Sequence, residues 1–156
     1  MTLGDLQMTG SAPRVLIVAN RTAASEPLLA AVRRRAQAGP ARFHLLVPAT
    51  PRGLHRVVDP EVAGREEAEA QLAIALELLR EAAGSEVTGH VGSADPMAAI
   101  ADVIYDRRVH EIILSTLPRR ISRWMHLDLP SKLRGMNIPV THVEGVRAPA
   151  DVDKAA

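Results

Sequence analysis

Two patterns of apolar and polar positions alternate along the chain. One is a short run of β-branched and aliphatic residues, and the other is a longer segment with apolar residues at helical spacing. Arg14 to Ala19 is apolar on both faces, as a central parallel strand should be. Ser25 and Glu26 then open a helix that tolerates Pro27 in its first turn, carries Leu28, Leu29, Val32 and Ala36 on one side, and ends at Gly39-Pro40. Arg42 to Val47 reads as the second strand, and a long polar loop follows from Pro48 to about Pro60. From about Glu61 to Ala83 the spacing of Ala68, Leu72, Leu76 and Leu79 predicts a second helix, closed by Gly84.

Glu86 to Val91 alternates, which fits a third strand near a sheet edge. Asp95-Pro96 is an N-cap followed by a first-turn proline, and behind it Met97, Ile100, Ala101 and Ile104 line one face of a third helix. Glu111 to Leu114 is the fourth strand, Ser115 to His126 a loop, Asp128 to Arg134 a short helix and Ile138 to Val143 the last strand. Strands separated by helices of this length pair in parallel through right-handed crossovers. Helices on both faces then make an α/β, three-layer, doubly wound sheet. Its ligand crevice lies beyond the carboxyl ends of the strands, where strand order reverses, so the loops after Ala19, Val47 and Leu114 matter most. The folded unit is expected over residues 13–145, with flexible tails at 1–12 and 146–156.

Composition narrows the function. Hydrophobic residues make up 47% of the 156, enough for one sizeable core, but aromatics only 2%, so the interior must be built from Ala, Val, Leu and Ile. A formal charge of +1 with no basic stripe among aromatics argues against nucleic acid and anionic membranes as partners. Cysteine is absent, which excludes disulfides and thiolate chemistry and suits a reducing compartment. The first residues lack a signal-peptide pattern, and no apolar run approaches the ~18 residues of a membrane span. A cytoplasmic location is expected, and the arginine- and alanine-rich composition is that of a high-GC bacterial genome.

The block Gly92-Ser93-Ala94-Asp95-Pro96-Met97-Ala98-Ala99-Ile100, running on to His110-Glu111-Ile112-Ile113-Leu114-Ser115, resembles the universal stress protein family. The stretch Leu133-Arg134-Gly135-Met136-Asn137-Ile138-Pro139-Val140 is similar to that family's closing helix and strand. The resemblance covers about Arg14 to Val143. It implies an adenine-nucleotide-hydrolase-like sheet of five strands in the order 3-2-1-4-5 and a homodimer, often with ATP bound.

Two departures set this chain apart from the ATP-binding members. Those carry Gly-x2-Gly-x9-Gly-Ser/Thr after the fourth strand, where the glycines let backbone N–H groups approach phosphate. Here Ser115 to Ser131 contains no glycine, and its prolines, Pro118 and Pro130, remove N–H donors. Asp128 is expected to cap the short helix and place a carboxylate where phosphate would otherwise sit. Asn20 ends the first strand where the family commonly has an aspartate. ATP or AMP is therefore not expected as a cofactor in the family's usual mode.

The same loop keeps features that suit another anion. Arg119, Arg120 and Arg123 lie near Ser115, Thr116, Ser122 and Lys132, and guanidinium forks hold phosphate or carboxylate without glycines. With Asn20, Val47 and Ser131, these arginines, Ser115 and Thr116 form the candidate ligand-binding set. The plainer reading, favoured by the abundance of arginine, is that they are solvated or pair with Asp128 and with acids of a partner subunit. Trp124 is read as a packing residue, at a dimer contact, ahead of a lid over a ligand. Arg33-Arg34-Arg35 reads as a solvated helix end, and Glu66, Glu67, Glu69 and Glu77 as a solvent-facing helix surface. The histidines show no metal-ligand spacing, and His44 and His142 are expected to be hydrogen-bonded within strands.

No catalytic constellation can be assembled. An adenylating enzyme would need a glycine-rich loop where Asn20-Arg21-Thr22-Ala23-Ala24-Ser25 stands, and a phosphate-accepting receiver would need acids that Asn20, Val91 and Gly92 do not supply. The expected function is therefore that of a non-enzymatic regulatory or binding protein, a homodimer with a small anionic ligand or a protein partner. The alternative is a nucleotide- or small-anion-binding protein that uses Arg119, Arg120 and Arg123 in place of the glycine loop.

Overall fold

The structure, a computed structural model, describes residues 12–49, 60–118 and 122–145, with the backbone alone for 60–63. Five strands, β1 (Arg14–Val18), β2 (Arg42–Pro48), β3 (Val87–Gly92), β4 (Glu111–Thr116) and β5 (Val140–Glu144), form one all-parallel sheet in the order β3-β2-β1-β4-β5. The connections hold α1 (Glu26–Ala38), α2 (Pro60–Ala83), α3 (Pro96–Asp106), α4 (Arg123–His126) and α5 (Leu129–Arg134). The layered architecture and the strand order expected from the sequence are both present.

Successive side chains of a strand point to opposite faces, so β1, apolar from Val15 to Val18, feeds two cores. Val15 and Ile17 join Phe43, Leu45 and Val47 under α1 and α2. Leu16 and Val18 join Leu46, Ile112 and Leu114 on the other face, under Ile100 and Val103 of α3 and Leu129 and Leu133 of α5. Local capping follows the sequence in two places. Asp95 accepts from the Met97 amide at 3.1 Å, and Gly84 closes α2 at φ 68, a left-handed conformation that costs glycine little.

Several local expectations are corrected. β4 continues through Ser115 and Thr116, because β5 pairs with both, as Val143 and Glu144. Part of the expected loop is the helix α4, started by Ser122, whose hydroxyl accepts from the Met125 amide at 3.2 Å. Asp128 stands before α5 in the left-handed region (φ 57) and its side chain makes no capping bond. β5 begins at Val140, since Pro139 has no N–H and contributes only its carbonyl, to the Ile112 amide at 2.9 Å. Arg35 is not solvated: it bridges to both carboxylate oxygens of Glu111 at 2.8 and 3.1 Å and ties α1 to the start of β4. Arg33 stays exposed and reaches Glu26 at 2.9 Å.

Candidate functional site

The crossover from β1 runs through α1 on one face of the sheet, and the path from β4 runs through α4 and α5 on the other. The chain thus splays apart between β1 and β4, the switch point at which doubly wound sheets hold ligands. Its walls are the loop after β1, the carboxyl ends of β2 and β4, and the residue that follows β5.

The loop after β1 folds into two successive turns, with Ala23 N–H donating to the Asn20 carbonyl at 3.1 Å and Ser25 N–H to the Thr22 carbonyl at 3.0 Å. This lays Thr22 across the switch point, where its hydroxyl meets the Ser115 hydroxyl at 2.6 Å in a fully buried contact. Asn20 turns the other way and donates its amide to the Pro48 carbonyl at 2.7 Å, which fastens the same loop to the end of β2. Thr116 bonds sideways to His142 Nε2 at 2.8 Å. Burial is the first cause that holds the His142 imidazole below its ordinary pKa, helped by Arg134 and opposed by Glu144.

Gly145 closes the third side. Its N–H donates to the Thr116 carbonyl at 2.7 Å, so the chain leaving β5 is drawn over the end of β4. A Cβ at this position would lie 2.6 Å from Ser25 Oγ and 2.7 Å from Thr22 Cβ, so only glycine lets the backbone come this close. Ser25 Oγ is buried and has no hydrogen-bond partner among the described residues. The sequence marks Ser25 only as a helix opener and gives Thr22 and Gly145 no role, and Ser25 stands at the N-cap without a side-chain capping bond. Each gains its place in the site only when β1, β4 and β5 become neighbours.

The sequence-derived candidates fall into four groups. Asn20, Ser115 and Thr116 are gathered at the switch point, but Ser115 and Thr116 are only 1% and 2% exposed and both hydroxyls are engaged with protein atoms. Val47 is wholly buried under α1 and α2. Arg123 on α4 and Ser131 on α5 are exposed, while Arg119 and Arg120 lie outside the described residues. Trp124, at 7% exposure, packs into the core of its own chain with Leu129 and Leu133.

No family model matches the sequence, and no curated protein sequence matches it either. Solved structures do match. A universal stress protein from Archaeoglobus fulgidus is 18% identical, with a TM-score of 0.58 over 89% of this chain and 99% of its own. The chain has the universal stress protein fold. The Archaeoglobus fulgidus universal stress protein in complex with dAMP matches at 20% identity and a TM-score of 0.58, over 86% of this chain and 98% of that one. A further universal stress protein, in complex with cAMP, matches at 18% identity and a TM-score of 0.57, over 87% and 100%. No helix among the described residues is long and apolar enough to cross a membrane.

Proposed function

We propose that this chain is a universal-stress-type regulatory or binding protein, a cytoplasmic homodimer without catalytic activity, that does not hold ATP in the glycine-loop mode. The fold, shared with stress proteins that bind dAMP and cAMP, supports the general reading. The buried Thr22–Ser115 bond carries the specific one. It fills the switch point with the protein's own hydroxyls, and a nucleotide entering there would have to break it. Three other features point the same way. Gly145 lies against the Thr22–Ser25 turn, Ser122 spends its hydroxyl on α4, and no residue from Ser115 to Ser131 is glycine.

Differential melting with and without magnesium ATP tests this reading. A ligand at a hundred times its Kd adds about 2.7 kcal/mol, and a chain of this size gains roughly 2–4 °C for each of those kcal/mol. The expected shift is below about 2 °C. A shift of many degrees that disappears in Arg123→Ala would overturn the reading and favour arginines acting in place of the glycine loop.

A further inference from the structure

At the opposite end of the sheet, the amino ends of β1 and β2, the turn before β3 and the carboxyl end of α3 border a cavity of about 620 Å³. Three guanidinium-bearing residues, Arg14, Arg42 and Arg107, line it, and among the described residues none of these side chains has an acidic partner. Two acids also line the cavity. Glu86 is already paired with Arg80 at 2.9 Å, which leaves Asp106 alone against three cations. The floor is apolar, built from Leu16, Val103 and Val109 on the α3 face of the sheet.

The wall beside the arginines is a short polar chain across β2 and β3. His44 Nδ1 lies 2.7 Å from the Thr88 hydroxyl, and His44 Nε2 lies 2.6 Å from His90 Nδ1. Burial pushes His44 down to about 4, with His90 and Arg107 adding to the fall, and burial and then Arg107 lower His90. Both rings are neutral at pH 7, and no carboxylate acts to raise either one. The cavity lining thus sets three guanidinium groups against the carboxylates of Asp106 and of Glu86, the latter already paired with Arg80.

Guanidinium forks match phosphate oxygens in pairs, neutral imidazole and hydroxyl groups add hydrogen bonds, and an apolar floor accepts the body of an organic phosphate. We propose that this groove is a binding site for a small phosphate- or diphosphate-bearing molecule, whose phosphate oxygens are held by Arg14, Arg42 and Arg107. The site lies at the far end of the strands from the β1–β4 crevice and does not depend on what that crevice binds. A bound phosphate makes protonation of His44 easier. Thr88 and His90 from β3 bond to that ring and Arg107 from α3 acts on it, while Arg14 from β1, Arg42 from β2, Asp106 from α3 and the already paired Glu86 line the same cavity. A bound phosphate is thus expected to raise the pH at which His44 takes up its proton.

Isothermal titration of the full chain with inorganic pyrophosphate, joined to proton-detected titration of the histidine rings, tests the proposal. Saturable binding is expected, weakened at least about tenfold in Arg107→Ala and in Arg42→Ala and unchanged in Arg123→Ala. The His44 and His90 midpoints are expected to rise when pyrophosphate is present. Both arginines are exposed and without acidic partners, so folding should be unaffected, and matching melting curves of the variants verify it. Absence of binding overturns the proposal. So does binding that survives Arg107→Ala and is lost in Arg123→Ala, which would put the anion at the other end of the sheet.

Discussion

The hydroxyls of Thr22 and Ser115, ninety-three residues apart in sequence, meet at 2.6 Å in the interior, directly between the two strands from which the sheet's crossovers diverge. A neutral hydrogen bond adds only about 0.5–1.5 kcal/mol net, but removing one partner strands the other without water, which costs about 1–3 kcal/mol. Thr22→Val and Ser115→Ala should each lower the melting temperature by several degrees. The double variant should cost less than the sum of the two, because the second substitution removes the group that the first left unsatisfied. A double-mutant cycle of thermal unfolding checks this. Strictly additive losses would mean that the two hydroxyls do not act as a pair.

Gly145 is expected to be intolerant of any side chain. In Gly145→Ala the new methyl would meet Thr22 and Ser25 at distances no relaxed contact allows, so the Thr22–Ser25 turn must move. Overpacking of this kind costs about 1–3 kcal/mol. The urea midpoint should fall, and the amide resonances of Thr22 to Ser25 should move more than those at the far end of the sheet.

The two arginine–glutamate pairs of α1 should differ in weight. Arg35 and Glu111 are 18% and 32% exposed and joined by two hydrogen bonds, so Glu111→Ala takes the carboxylate from a largely covered guanidinium that keeps its bond to the Gly39 carbonyl, and should cost about 1.5–3 kcal/mol. Glu26 and Arg33 are open to water, and Glu26→Ala should leave the unfolding midpoint nearly unchanged. Paired urea titrations distinguish the two.

Stability should fall on acidification because of the histidines. His44 titrates near 4 in the folded chain and at its ordinary value of 6.5 when unfolded, chiefly because folding buries it. The unfolded chain therefore binds this proton first. The stabilisation is complete above about 6.5 and is lost as the pH falls through the window down to about 4. His90 and His142, both lowered mainly by burial, act in the same direction. Melting temperatures between pH 7.5 and pH 4.5 should decline, and His44→Gln should flatten the slope.

The sheet was legible from the sequence because its signal is local and repeated. Four of the five strands are marked by apolar or alternating runs, and Asp95-Pro96 marks a helix start by chemistry that needs no distant partner. Strand order agreed with the family resemblance, which rested on segments such as Gly92 to Ser115. The switch point was less legible. The sequence pointed to the correct loops and to Ser115 and Thr116, but their hydroxyls looked available because their partners, Thr22 and His142, lie on strands and loops far away in the chain. Arg35 read as solvated for the same reason, since Glu111 becomes its neighbour only when β4 docks beside β1. Asp128 read as a cap because residue type and position both fitted. A left-handed backbone at that residue, which no composition rule announces, turned its side chain away from the role.

On the proposed function, the crevice between β1 and β4 is closed by the protein's own side chains. The most direct measurement is a high-resolution crystal structure grown with saturating magnesium ATP and read at the carboxyl ends of β1, β2 and β4. The expected result is an intact Thr22–Ser115 hydrogen bond, Gly145 seated on the Thr22–Ser25 turn, and no triphosphate density beside Asn20 or Ser115. An ordered adenosine triphosphate between the two strands, with those hydroxyls parted and its phosphates against the segment from Ser115 to Ser131, would contradict it.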